Sequence, residues 1–334
     1  QAAVVEQITS IFPSTTVAAL SSLWTGAAPA QHGLVGLNVF FPEYGTIGQM
    51  LSLSPDLGYY PDALVRAGLQ PETFLHWPGL AQQLSEAGIP THRFKNKNIL
   101  DSALSKMHGR GVASNHGITT LVDMLIQMRR LLESKPGESL YAAAYWSTVD
   151  TLSHEHGWDD EIVAAELRSI VTQLQLEFLD RLSEQARRDT VLLIIADHGQ
   201  IVTPFSEAIF LEDHPRLREM LLMKPTGEPR VVYLYTRHGY QDAVVDYINE
   251  HLGQAMIAWP SVDLLDAGLL GPPPFAPQSA GRIGNVVVAM RGGYSGLNTR
   301  AGDAGRAMRW NGRHGGLTRA EMEVPWLGFR LDEI

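Results

Sequence analysis

The run Thr190-Val191-Leu192-Leu193-Ile194-Ile195-Ala196-Asp197-His198-Gly199 constrains this chain more than any other. Six apolar residues in a row, rich in β-branched types, predict a strand buried on both faces, as in a parallel sheet covered by helices. Asp197 and His198 then fall at its carboxyl end, where open α/β sheets bind ligands, and Gly199 allows a sharp turn after them. An oxygen and a nitrogen ligand side by side suit a divalent transition metal. A hydrogen-bonded Asp-His turn is the other reading.

Ser139 to Trp146 reads as a second buried strand, leading into Asp150-Thr151-Leu152-Ser153-His154. Asp150 and His154 are four apart, so one helical turn brings both side chains to one side; the alternative is a helix-capping aspartate and a solvated histidine. Apolar spacing from 160 to 185 predicts a long helix returning to the Asp197 strand, which closes a βαβ unit. Near the start, Ser14-Thr15-Thr16 precede a helix from Val17 to Trp24 that ends at Thr25-Gly26. Hydroxyls there are helix caps, or one of them is a nucleophile, because free N–H groups and the helix dipole favour the anion that it attacks or becomes.

Elsewhere the pattern predicts a long irregular loop over 27–54, helices over 77–87 and 117–132, and a short strand at 91–94. Strand and helix signals then alternate over 230–267 as a compact group, followed by a buried strand over 285–290, a Gly- and Arg-rich loop over 291–316 and a closing strand at 325–329.

Composition sets the chemistry available. With no cysteine in 334 residues, metal ligands must be His and carboxylate. An apolar fraction of 45% with 19% charged residues is that of a globular protein, long enough for one large α/β domain or a core with an insertion. The net charge of -10, with no long basic run, argues for solubility and against a nucleic-acid polymer held by phosphate neutralisation. A phosphate-bearing substrate would need its charge met locally, by metal ions or a few Arg. No apolar run approaches the roughly 18 residues of a membrane span, and the compartment, cytoplasmic or exported, stays open.

Asp150/His154, Asp197/His198, His314 and Thr16 are joint candidates for one site. Two carboxylates and three imidazoles can hold two divalent ions, and such a pair stabilises the attacking and leaving oxygens of phosphoryl transfer. A hydroxyl touching one ion loses its proton more easily and becomes a competent nucleophile.

At this point the sequence resembles the alkaline phosphatase superfamily, and within it the type I phosphodiesterase/nucleotide pyrophosphatase family. Phe12-Pro13-Ser14-Thr15-Thr16 through Leu23-Trp24-Thr25-Gly26 looks like the nucleophile segment. Asp150-x-x-x-His154-x-x-Gly157 looks like the first metal pair, Asp197-His198-Gly199 the second, and His314-Gly315-Gly316-Leu317-Thr318 the late histidine. The resemblance runs from about position 8 to 328. It implies a three-layer αβα sandwich around a mostly parallel central sheet with a small inserted α+β cap. On this division 1–200 and 281–334 are core and 201–280 is the cap. It also implies two divalent ions, Zn2+ or else Mn2+: one held by Asp150, His154 and His314, the other by Asp197, His198 and the Thr16 oxygen. The implied reaction is in-line attack by Thr16 on a small phosphodiester or phosphoanhydride, then hydrolysis of a phosphothreonine by metal-activated water. Phosphomonoester or phosphonate hydrolysis, or an inactive binding homologue, are the alternatives. A sulfatase is disfavoured because position 16 is neither Cys nor Ser.

Two features depart from the family pattern. The family carries a further metal-binding aspartate at the end of a first core strand, and no residue from Gln1 to Phe12 stands in for it, so a preceding segment with an apolar strand ending in Asp is expected. Many nucleotide-cleaving members carry an asparagine shortly after the nucleophile, where this chain has Ala19; the backbone N–H of Thr16 or Val17 then takes more of the oxyanion role. Arg313 either meets substrate phosphate or lies at the surface, and structural or surface roles are expected for His32 and His156.

Overall fold

A computed structural model describes residues 3–56, 60–300, 302, 305 and 310–333. The fold is mixed α/β. The largest sheet has seven strands in the order Met256–Pro260, Val286–Met290, Val231–Leu234, Thr226–Glu228, Asn38–Phe41, Thr46–Gln49 and Ser54–Pro55. Every hydrogen-bonded pair within it is antiparallel. Its apolar faces lie in two of the three core clusters: Val231, Tyr233 and Val287 pack with Leu34, Val39 and Phe41, while Val232, Leu234 and Val288 pack with Val244 and Ile248 of the helix Gln241–His251. The opposite-face alternation is that of a strand with its side chains pointing to two sides.

A second sheet places Thr91–Asn96 between Val112–Ile118 and Tyr141–Ala144, both parallel to it. A third pairs Glu323–Arg330 antiparallel with Ala3–Thr9 on one side and Val191–Ile195 on the other. These two sheets share a core through Phe94, Ile118, Leu192 and Phe329, with the helix Leu121–Ser134 packed on it. A mostly parallel central sheet is therefore not what the hydrogen bonding shows. Among the described residues, parallel pairing is confined to the second sheet and to Ala208–Phe210 beside Ser295–Leu297.

The 190–196 strand forms, but it is not buried on both faces. Val191 is 59% and Leu193 51% exposed, because Val191–Ile195 is an edge strand whose hydrogen-bonded neighbour among the described residues is Glu323–Arg330 alone. The 139–146 segment is likewise a four-residue strand at a sheet edge, half-buried rather than buried.

Other differences have local causes. The expected loop over 27–54 contains a short helix, Pro29–His32, and a hairpin, Asn38–Phe41 with Thr46–Gln49. Gly45 closes that hairpin at φ 58°, a left-handed conformation suited to glycine. The helix expected from 117 starts at Leu121, where the Thr120 hydroxyl caps Asp123 N–H. Gly117 and Ile118 instead end a strand that the polar run Ser114-Asn115-His116 concealed. The long 160–185 helix is regular only over Glu161–Gln173; one π turn and a 3₁₀ turn follow, and Ser183 caps a new short helix. The loop over 291–316 contains the strands Ser295–Leu297 and Gly312–Arg313, and its positions 301, 303–304 and 306–309 lie outside the described residues. Among the described residues no helix is long and apolar enough to cross a membrane.

Candidate active site

The helix Thr16–Thr25 begins where Ser14 bridges to Gly315, so the hydroxyl-rich segment and the late histidine loop meet directly. Thr15 is the N-cap in extended geometry, yet its side chain makes no capping bond; it lies beside the buried Glu228 carboxyl instead. The first-turn N–H groups are thus left without a capping side chain, the state in which a helix terminus receives an anion. Thr16, the first helical residue, points its Oγ1 at His198 Nε2, 3.1 Å away.

Three histidines converge here, each oriented by a backbone carbonyl. His154 Nδ1 lies 2.8 Å from Gly312 O, His198 Nδ1 2.9 Å from Gly199 O and His314 Nδ1 3.0 Å from Ser14 O. A carbonyl only accepts, so each Nδ1 carries the proton and each Nε2 presents a lone pair. Those lone pairs meet carboxylates. His154 Nε2 is 3.4 Å and His314 Nε2 3.8 Å from Asp150 Oδ1, and His198 Nε2 is 3.6 Å from Asp197 Oδ2. The His198 and His314 rings stack at 3.7 Å. Ligand atoms of Asp150, His198 and His314 all lie within 4.8 Å of one another.

Acceptors facing acceptors repel unless a cation lies between them, and carbonyl-anchored imidazoles with free Nε2 atoms are the usual support of metal ligands. Burial, reinforced by repulsion from His198 and His154, holds the His314 ring neutral, the form that ligates. Asp197 Oδ2 is buried with no hydrogen-bond partner, a costly condition that a bound cation would remove. The donor set, all nitrogen and oxygen, fits a divalent ion such as zinc.

Asp150, His154, Asp197, His198, His314 and Thr16 are thus brought together. Val17 is fully buried on the helix. Arg313 is buried with its guanidinium 5.7 Å from the centre of the Trp310 ring, which in turn lies against His154. His32 is buried beside Ser22, and His156 is near Glu155 at the surface.

Two residues, Gln200 and Tyr145, escaped the sequence reading, and Ser14, read there only as one of the helix-terminal hydroxyls, has a different part. Gln200 Nε2 donates to Asp150 Oδ1 at 2.7 Å and fixes that carboxylate; its place just after His198-Gly199 was the available signal. The Tyr145 hydroxyl lies beside Thr16, and burial, together with the charges of Asp197 and Asp150, keeps it a neutral phenol. Ser14 is fully buried; its hydroxyl donates to Gly316 O at 2.8 Å and accepts from Gly315 N–H at 3.2 Å.

A profile of the type I phosphodiesterase/nucleotide pyrophosphatase family matches residues 1–317. Among solved structures, murine ectonucleotide pyrophosphatase/phosphodiesterase 5 is similar at TM-score 0.69 and 16% identity, covering 97% of this chain and 79% of that one. The human counterpart aligns at TM-score 0.68 and 17% identity, covering 97% and 78%. Phosphonoacetate hydrolase from Sinorhizobium meliloti 1021, solved with phosphonoformate, aligns at TM-score 0.67 and 17% identity, covering 97% and 81%. No curated protein sequence matches the chain.

Proposed function

Because the chain belongs to the type I phosphodiesterase/nucleotide pyrophosphatase family, we propose that Thr16 is the nucleophile of a two-zinc site that cleaves a small phosphodiester or phosphoanhydride. One observation carries this reading: the Thr16 hydroxyl lies 3.1 Å from His198, whose ring packs with His314 and Asp150 in the metal-competent cluster. Asp150, His154 and His314 would hold one ion, and Asp197, His198 and Thr16 the other. When bound, the ions supply positive charge at the phosphate oxygens and ease ionisation of the Thr16 hydroxyl.

The chain's own groups account for the rest. Thr16 Oγ1 forms a bond to phosphorus while the bond from phosphorus to the leaving oxygen breaks in line. The product alcohol or phosphate departs, and water then cleaves the phosphothreonine to restore Thr16. The N–H groups of Thr16 and Val17, at the uncapped helix terminus, face the developing charge. The Tyr145 phenol beside Thr16, held protonated by burial, is placed to orient the Thr16 hydroxyl. Ala19 is buried and, as alanine, has no side-chain amide for a phosphate oxygen, so the reading does not require a nucleotide. Arg313 is a weaker candidate for substrate phosphate. In this reading residues 1–200 and 281–334 form the αβα core and 201–280 the cap, whose strands share a sheet with Asn38–Phe41 and Val286–Met290.

The test compares turnover of bis-p-nitrophenyl phosphate, p-nitrophenyl phosphate and phosphonoacetate by protein of measured metal content. Preference for the diester with about two zinc ions per chain is expected. Preference for the monoester or the phosphonate would move the assignment to those activities. Metal well below two per chain with no turnover would leave a binding homologue.

A further inference from the structure

The candidate ligands come from distant segments, and the short helix Arg319–Met322 is hydrogen-bonded to backbone beside two of them, His198 and His314. Glu321 within it is fully buried, as is Arg230. Its carboxylate accepts from Arg230 Nε and Nη2, each at 2.9 Å, from Gly316 N–H at 2.8 Å, and from Thr318 through its N–H at 3.3 Å and its hydroxyl at 2.6 Å. Its backbone carbonyl accepts from Gly199 N–H at 2.9 Å. One residue therefore holds Gly316, two positions past His314, and Gly199, next to His198. The adjacent Met322 carbonyl accepts from Ser10 N–H, and the Ser10 hydroxyl donates to Asp197 O at 2.5 Å.

Arg230 ties this hub to the large sheet. It directly precedes the strand Val231–Leu234 and also donates to the carbonyls of Tyr294 and Met290. The planar guanidinium and the carboxylate meet through two parallel bonds, the arrangement that fixes orientation as well as distance. A buried ion pair of this kind adds little net stability over apolar residues of the same volume, and its best-attested use is to select one geometry.

We propose that the Arg230–Glu321 pair is a positioning device that sets His314 against His198 and Asp197, and that the metal affinity of the site depends on it. This rests on the reading of those side chains as metal ligands. The pair touches no reacting atom; it acts through the Gly316 and Gly199 backbone, so its removal should weaken metal binding rather than abolish the ligand set.

The test measures zinc affinity by chelator competition, together with kcat and KM on bis-p-nitrophenyl phosphate, for the full chain, Glu321→Gln and the double variant Arg230→Met/Glu321→Gln. The double variant leaves no unpaired buried charge, and so remains informative where the single variant does not fold. Outer-shell groups of metal sites typically govern affinity or activity by about 10–100-fold. Zinc affinity about tenfold or more below wild type is expected in the folded variants, with kcat lowered in proportion, KM within about threefold and partial recovery of kcat at high zinc. A folded variant with a lowered melting temperature but wild-type zinc affinity and kcat would overturn the proposal, reducing the pair to a structural tie. His314→Ala, measured in parallel, separates the two layers. Zinc binding lost there but kept in the Glu321 variants rejects the positioning role alone, whereas zinc binding kept in His314→Ala rejects the ligand reading and this inference with it.

Discussion

Thr16 Oγ1 and His198 Nε2 lie 3.1 Å apart although 182 residues separate them in the chain. If that hydroxyl attacks phosphorus, Thr16→Ala lowers kcat by about a thousandfold or more, while elemental analysis still finds the metal held by the remaining His and Asp side chains. Thr16→Ser, which keeps an oxygen in place, retains turnover to within about a hundredfold. Acid quench of the wild-type reaction followed by mass spectrometry should find phosphate on Thr16. Turnover by Thr16→Ala near the wild-type rate would remove this residue from the chemistry.

Metal removal is the second test. Three Nε2 lone pairs and two carboxylates face one another in the cluster, so a chelator should abolish turnover and added zinc should restore it. Because the ion binds the folded arrangement, zinc at a hundred times its Kd should stabilise the chain by about 2.7 kcal/mol in denaturant titrations. Asp197→Asn removes the charge of a carboxylate whose buried Oδ2 accepts no hydrogen bond and should weaken binding while leaving the metal-free protein as stable or more so. Unchanged zinc affinity in that variant would count against Asp197 as a ligand.

Tyr145→Phe tests the phenol beside Thr16. If the phenol orients the Thr16 hydroxyl, its loss should lower kcat by about tenfold. Burial and the neighbouring carboxylates hold the phenol protonated, so the shape of the pH–rate profile should not change. A lost alkaline limb in the variant would show that Tyr145 ionises during turnover, against this assignment.

The sequence revealed the site more fully than the frame that holds it. Asp150 with His154 and Asp197 with His198 were legible as candidates because reactive side chains followed strand signals at short spacing, whereas His314, in a loop, entered through the joint pattern and the family resemblance. Gln200 and Tyr145 were not singled out, although each is near a recognised pair, because their placement beside Asp150 and Thr16 depends on folding in space. Glu321 is more remote still: its partner Arg230 is 91 residues away, and nothing local marks either residue as buried. The same limit applies to the sheets. Apolar runs located Val191–Ile195 and Val286–Met290 but not their neighbours, so the antiparallel pairing with Glu323–Arg330 and the exposure of Leu193 could not be read from them.

Gly199 shows how tightly the Asp197-His198 turn is held. A Cβ placed there would sit 2.0 Å from the Ala320 carbonyl oxygen, and the Gly199 N–H donates to Glu321 O. Backbone on both sides of the contact leaves little to yield. Gly199→Ala should cost about 2–4 kcal/mol in stability, in the range of strained or overpacked substitutions, and should lower zinc affinity by displacing His198. Urea midpoints and chelator competition measure the two effects; a variant as stable as the parent would mean that the turn relaxes freely.

His32 makes stability depend on pH at a distance from the chemistry. Its Nδ1 accepts from Leu34 N–H at 3.1 Å, which leaves the proton on Nε2, beside the Ser22 hydroxyl. Burial, chiefly, and the nearby Arg282 charge lower its pKa from 6.5 to about 3. The unfolded chain therefore takes up this proton first as pH falls. The stability tied to the neutral ring is complete above pH 6.5 and drains away between pH 6.5 and about 3. At pH 5 the loss from this one group is roughly 2 kcal/mol. Urea midpoints at pH 7.5 and 5 should fall further apart in the wild type than in His32→Gln, whose amide can still accept from Leu34 and donate toward Ser22. Equal falls in both proteins would assign the acid sensitivity to other groups, with the fully buried His108, also pushed down by burial, the next to replace.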